Sequence, residues 1–168
     1  MLDEATVSRR TLFGAAVLGL TAAALQSEAE AKSPKSPPVG ALLPLAAVMR
    51  AHDQAFSAHD LKGVLATMSP DAFVLGSGGG EIWKGTKEIA ASYETLFKTF
   101  EKGSLSFEPV FYDGAVQDGM GWLMAVTRVT ATHAGKRHES GINASIGFVQ
   151  KNGKWLIRTF HYSSTPAH

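Results

Sequence analysis

From position 45 the chain repeats its apolar residues at the period of a helix. Leu45, Val48, Met49, His52 and Phe56 fall at steps of three and four and predict a helix over 43–58. His59 and Asp60 break that pattern, and Asp60 is placed to cap a second helix carrying Leu61, Val64, Leu65 and Met68 on one face. Ser69-Pro70-Asp71 reads as its end. A short β-type run follows at 72–76, then a glycine-rich loop at 76–80 and a return strand at Glu81-Ile82-Trp83. Lys84-Gly85-Thr86 opens a third helix, with Thr86 as its expected cap and Ile89, Tyr93, Leu96, Phe97 and Phe100 as its apolar stripe. Gly103 stops it.

Beyond Gly103 the period changes to two. Strands are expected at 104–112, from 115 through 121–133, at 137–150 and at 154–164. Turns are expected at Asp113-Gly114, Ala134-Gly135-Lys136 and Asn152-Gly153, with Asp118-Gly119 a turn or a bulge. Helices followed by a run of strands predict an α+β fold rather than alternating α/β. Strands apolar on both faces predict a sheet covered twice, by helices on one side and by a second copy of the chain on the other.

Composition narrows the chemistry. Of 168 residues, 45% are hydrophobic and 18% charged, which is the balance of a globular chain. Cysteine is absent, so disulfides, thiol nucleophiles and cysteine metal sites are excluded. His133 and His138 flank a hairpin end without matching ligands, so no metal site is expected, and no cofactor motif is present. Gly78-Gly79-Gly80 lacks the Lys-Ser/Thr of a phosphate loop.

The N-terminus carries an address. Ser8-Arg9-Arg10-Thr11-Leu12-Phe13 precedes an apolar, Gly- and Ala-rich run from Leu12 to Leu25, and Ala29-Glu30-Ala31 offers a small-x-small cleavage site. This resembles a twin-arginine signal and implies export of a folded protein to the periplasm. Residues 1–31 are read as the signal peptide, 32–41 as a Pro/Ser-rich linker and 42–166 as the folded domain. Without the leader, 14 basic and 11 acidic residues leave a charge of +3, scattered and too small for a nucleic-acid surface. No apolar run of about 18 residues follows the leader, so no membrane span is expected in the mature chain.

Three segments taken together carry a family likeness. These are the helix pair closed by Ser69-Pro70-Asp71, the Glu81-Ile82-Trp83-Lys84-Gly85 turn into a helix, and the closing Gly153-Lys154-Trp155-Leu156-Ile157 with His161-Tyr162-Ser163. In order and spacing they resemble the SnoaL-like and ketosteroid isomerase-like members of the nuclear transport factor 2-like superfamily. The resemblance implies three N-terminal helices packed on a curved antiparallel sheet, a cone with a pocket at its open end, and homodimers through the outer sheet face. That fold hosts isomerases, cyclases, dehydratases, epoxide hydrolases and non-catalytic binding domains, so function has to come from the site.

Strict alternation along the last strand puts His161 and Ser163 on one face with Trp155, Ile157 and Thr159. The resemblance places that face inside the cone. His161 is then a candidate general base or a donor to a ligand carbonyl, against the alternative of a structural histidine. Arg128 shares a face with Trp122, Met124 and Val126 and either binds a ligand carboxylate or pairs with Glu139. Asn143, twelve residues before Trp155, stands where the resemblance calls for an arginine, which favours a neutral polar ligand over an acidic one. His52 lines the pocket or is a satisfied core histidine. Trp83, Tyr93 and Trp122 serve in packing or as aromatic pocket wall. An Asp/His pair, as in the polyketide cyclases of the family, would need an acidic partner for His161, and none can be placed. The expectation is a small, largely apolar ligand in a cone pocket, with lyase or isomerase chemistry left open. The alternative is a non-catalytic homodimeric binding or assembly module.

Overall fold

A computed structural model of the chain describes residues 39–165. The segment read as a twin-arginine leader, 1–31, and residues 32–38 of the expected linker lie outside the described residues.

Helix α1 (Val39–Ser57) starts earlier than the apolar stripe indicates and takes in the last three residues assigned to the linker. Pro44 removes one intrahelical bond, to the Gly40 carbonyl, but this lies at an exposed end of the helix where water is available. Its C-terminus closes by a Schellman arrangement. His59 takes a positive φ of 52°, its N–H bonds the Phe56 carbonyl at 3.1 Å, and the Asp60 N–H reaches back to Ala55 at 2.8 Å. Asp60 then caps α2 (Leu61–Ala66) by accepting the Gly63 N–H at 2.9 Å.

Ser69-Pro70-Asp71 does not form a turn. It lies inside strand β1 (Met68–Leu75), in the part of the strand between its two paired ends, so Pro70 costs no ladder bond. Ser69 is buried there, its hydroxyl donating to Asp71 and accepting from Lys151 Nζ at 3.0 Å. Arg158 adds a second cation to Asp71 at 3.4 Å. The Ser69 hydroxyl first, then Lys151, with a further contribution from Arg158, lower the Asp71 carboxyl to about 2. This cluster ties β1 to the hairpin that turns at Asn152-Gly153.

Strand β2 (Ile82–Lys84) turns into α3 (Gly85–Leu96). Thr86 is not its cap. Lys84 occupies that position, and the Glu88 carboxylate reaches back to accept the Lys84 N–H at 2.8 Å, while Thr86 points to the Pro70 carbonyl. Ile89 and Tyr93 of the expected stripe are buried, but the helix ends at Leu96, so Phe97 and Phe100 lie beyond it and Gly103 is not its stop.

Four long strands follow: β3 (Ser106–Gln117), β4 (Met120–His133), β5 (Lys136–Lys151) and β6 (Lys154–Thr165). Each hairpin has a two-residue turn with both residues at positive φ, at Asp118-Gly119, Ala134-Gly135 and Asn152-Gly153. The expected turn at Asp113-Gly114 is absent, and β3 runs through it. Gly114 is there for a different reason: a β-carbon would run into the Trp122 carbonyl and Leu123 under α1. Gly121 does the same for Leu45, whose Cδ1 would lie 2.8 Å from an added β-carbon. The two glycines let α1 sit directly on the sheet.

The sheet order is β2-β1-β6-β5-β4-β3, antiparallel throughout except for the parallel β1–β6 pair. The result is the expected α+β fold, three helices on one face of a sheet. Leu42, Leu45, Val64, Val74, Ile89, Leu123, Ile146, Phe148 and Ile157 form the core.

One irregularity decides which residues face that core. In the β5–β6 ladder, Phe148 pairs with Ile157 and Gly147 with Thr159, so Arg158 is an extra residue on β6. Before this bulge Trp155 and Ile157 face the helices. After it the inward positions are Phe160 and Tyr162, and Thr159, His161 and Ser163 turn outward.

Candidate functional site

The inner face of the sheet is large at its base and small above it. Leu123 and Ile146 are fully covered, and the next inward step of the same two strands is the directly opposed pair Ala125 and Ala144. Two methyl groups there cannot fill the space beneath α1. A hollow of about 910 Å³ remains, walled by Phe56 of α1, Tyr93 of α3, Phe107 of β3 and Phe160 and Tyr162 of β6. Phe56 sets the wall's geometry, meeting Tyr93 and Phe100 edge-on at 5.2 Å each. A second hollow, on another face of α1 between Ala47, Ala51, Gly63 and Trp155, is a more open groove.

His52 lies in the wall of the first hollow. It is seven residues from Leu45, hence on the same helix face, and only 3% exposed. Its Nδ1 is 2.9 Å from the Asp53 carboxylate and its Nε2 is 2.6 Å from the Tyr93 hydroxyl. The carboxylate can only accept, so Nδ1 carries the proton. Nε2 of the neutral ring then accepts from the Tyr93 O–H. Phe56, Tyr93 and Phe160 pack round the imidazole, Phe160 edge-on at 5.6 Å. Burial, then the neighbouring Tyr162 phenol and the Asp53 carboxylate, hold the Tyr93 phenol well above its ordinary value, so it stays protonated. The carboxylate, imidazole and phenol form a connected line, the arrangement that passes a proton between a ligand and a buried base.

The whole sheet-and-helix unit matches one sequence family, the SnoaL-like domain, over residues 45–168. The chain belongs to that family. No curated protein matches the sequence. Among solved structures, Aln2 from a Streptomyces species superposes on this SnoaL-like domain with a TM-score of 0.67 at 16% identity, over 77% of this chain and 94% of that one. A ketosteroid isomerase-like protein from Erwinia carotovora atroseptica gives 0.64 at 20% identity over 75% and 97%. A nuclear transport factor 2-like protein from Pseudomonas putida gives 0.64 at 17% over 78% and 90%. At these identities the likeness is one of fold.

Of the residues singled out in the sequence of this SnoaL-like domain, the structure brings His52 and Tyr93 together and disperses the rest. His161 is exposed on the outer face, opposite Ser145, because the Arg158 bulge reverses the alternation. Ser163 and Asn143 pair with each other on that same outer face. Trp122 is 46% exposed there too. Arg128 is satisfied by carboxylates, Glu108 at 2.9 Å and Glu139 at 3.2 Å, as the pairing alternative expected. Trp83 packs at the sheet edge opposite Val74, outside the lining of the hollow. Sequence reasoning missed Asp53, Phe107, Phe160 and Tyr162. For Asp53 a signal existed: an acid directly after an inward histidine on one helix.

Proposed function

We propose that this SnoaL-like domain is exported by the twin-arginine route to the periplasm. There it binds a small, largely apolar molecule in the hollow beneath α1 and performs acid/base lyase or isomerase chemistry through His52. The observation that carries this reading is a buried imidazole with a carboxylate on one nitrogen and a phenol on the other, in the wall of an aromatic cavity. Asp53 fixes the tautomer and stabilises the imidazolium that forms when His52 takes a proton. Tyr93 relays or donates at the ligand. The Asp53–His52 pair is the arrangement that the cyclase resemblance asks for, with His52 in the role first given to His161. Arg9, Arg10 and the apolar run behind them support export.

The domain works as a homodimer through the outer sheet face. Phe111, Trp122 and Met124, 56%, 46% and 49% exposed, form with Val126 a contiguous apolar patch across β3 and β4. Trp122→Glu places a charge within the patch and is expected to shift the protein to monomer in sedimentation velocity. A dimer unchanged by it would move the interface elsewhere.

Native mass spectrometry of protein purified from the periplasm tests the ligand reading. A dimer carrying the extra mass of a small molecule is expected. In Ala144→Phe, which fills the hollow, the extra mass should vanish while the dimer persists. Protein that never carries extra mass, or an Ala144→Phe variant that keeps it, sinks the reading.

A further inference from the structure

We propose that Tyr162 recognises an acceptor oxygen on the cavity's ligand, so that the preferred occupant is an uncharged ring molecule bearing a carbonyl or similar oxygen. This rests on the small-molecule reading of the cavity.

The position follows from the bulge. Tyr162 pairs with Ala144 and faces inward, one inner step beyond Phe160. The Phe160 ring meets His52 at 5.6 Å and Tyr162 at 5.9 Å, so the second phenol stands one ring away from the imidazole. The polar atoms of His52 and Tyr93 on this wall are engaged with each other. The Tyr162 hydroxyl makes no hydrogen bond among the described residues, although the side chain is partly buried. A phenol so placed keeps a donor for whatever enters the hollow. Burial first, and then the Glu81 carboxylate, raise the Tyr162 phenol above its ordinary value and keep its proton on at neutral pH. It is therefore a donor and selects an acceptor. The lining carries one cation, Arg50, and one anion, Asp53, whose charges offset and leave no net preference for an ionic ligand. Tyr112, the third phenol of the lining, is 45% exposed and so less shielded from solvent than Tyr162.

The test uses two bicyclic probes that differ by one oxygen, tetralin and α-tetralone, titrated calorimetrically into the wild-type protein and Tyr162→Phe. One neutral hydrogen bond predicts that wild type favours α-tetralone by about fivefold. In Tyr162→Phe the carbonyl would be buried without a donor, so the preference should be lost or reversed in favour of tetralin, with tetralin affinity unchanged because the phenyl ring still walls the cavity. The same preference in Tyr162→Phe overturns the proposal and puts the donor elsewhere. Equal binding of both probes by the wild-type protein overturns it while leaving the cavity reading in place. If neither probe binds, the cavity reading falls and the proposal falls with it.

Discussion

Replacing His52 by Leu should cost this domain about 1–3 kcal/mol of stability and about a hundredfold or more of any turnover of the molecule that co-purifies with it. Leu roughly preserves the volume under α1, so the loss is not one of packing. It leaves the Tyr93 hydroxyl, buried with its ring, without the acceptor it had at 2.6 Å, and an unsatisfied buried donor carries its full desolvation penalty. Urea unfolding measures the first effect and a steady-state assay the second. The pairing also predicts non-additivity. Tyr93→Phe with His52→Leu removes both halves of the bond, so the double variant should be less destabilised than the sum of the two single ones. His161→Ala is the matched control: an exposed outer-face residue should change stability by less than about 0.5 kcal/mol and leave ligand affinity as it was. Wild-type turnover in His52→Leu would remove His52 from the chemistry, and lost turnover in His161→Ala would move it to the outer face.

What the chain discloses by itself is whatever depends on local period and turn chemistry. The stripe Leu45–Phe56, the Asp60 cap, the α3 stripe from Ile89 to Leu96 and the Asn152-Gly153 turn appear where local physics puts them. What it conceals depends on a partner strand. Asp113-Gly114 carries the composition of a turn, yet its glycine answers to Trp122 and α1 above it, contacts that no local window contains. Ser69-Pro70-Asp71 likewise looks like a stop, because the gap in the β1–β6 ladder that tolerates a proline exists only once β6 lies alongside. The consequence for the site is larger. Strict alternation puts every position after Arg158 on the wrong face, and so selects His161 and Ser163 in place of the wall residues Phe160 and Tyr162. His52, on a helix with an unbroken period, needs no knowledge of the sheet.

Deleting Arg158 should therefore do far more damage than changing it. With the residue removed, β6 alternates strictly, and its two halves can no longer both satisfy the core. Either Trp155 and Ile157 turn out to solvent, or Phe160 and Tyr162 do. Ile157 is fully buried and Phe160 packs on His52. Exposing either pair forfeits about 1.5–3 kcal/mol for each large apolar side chain. The second pair sums to at most about 6 kcal/mol, a large share of a typical domain's margin of about 5–15 kcal/mol. The expected result is a deletion variant that is insoluble, or that unfolds in urea at a far lower midpoint and has lost ligand. Arg158→Ala keeps the residue count and hence the bulge. It removes a solvent-screened ion pair with the Asp71 carboxylate and a hydrogen bond to the Asp71 carbonyl, both partly exposed. It should fold and bind as the parent does. A deletion variant as stable as the parent would mean that the facing of β6 is set by something other than the extra residue. The geometry that puts Tyr162 in the wall and His161 outside it would then lose its physical cause.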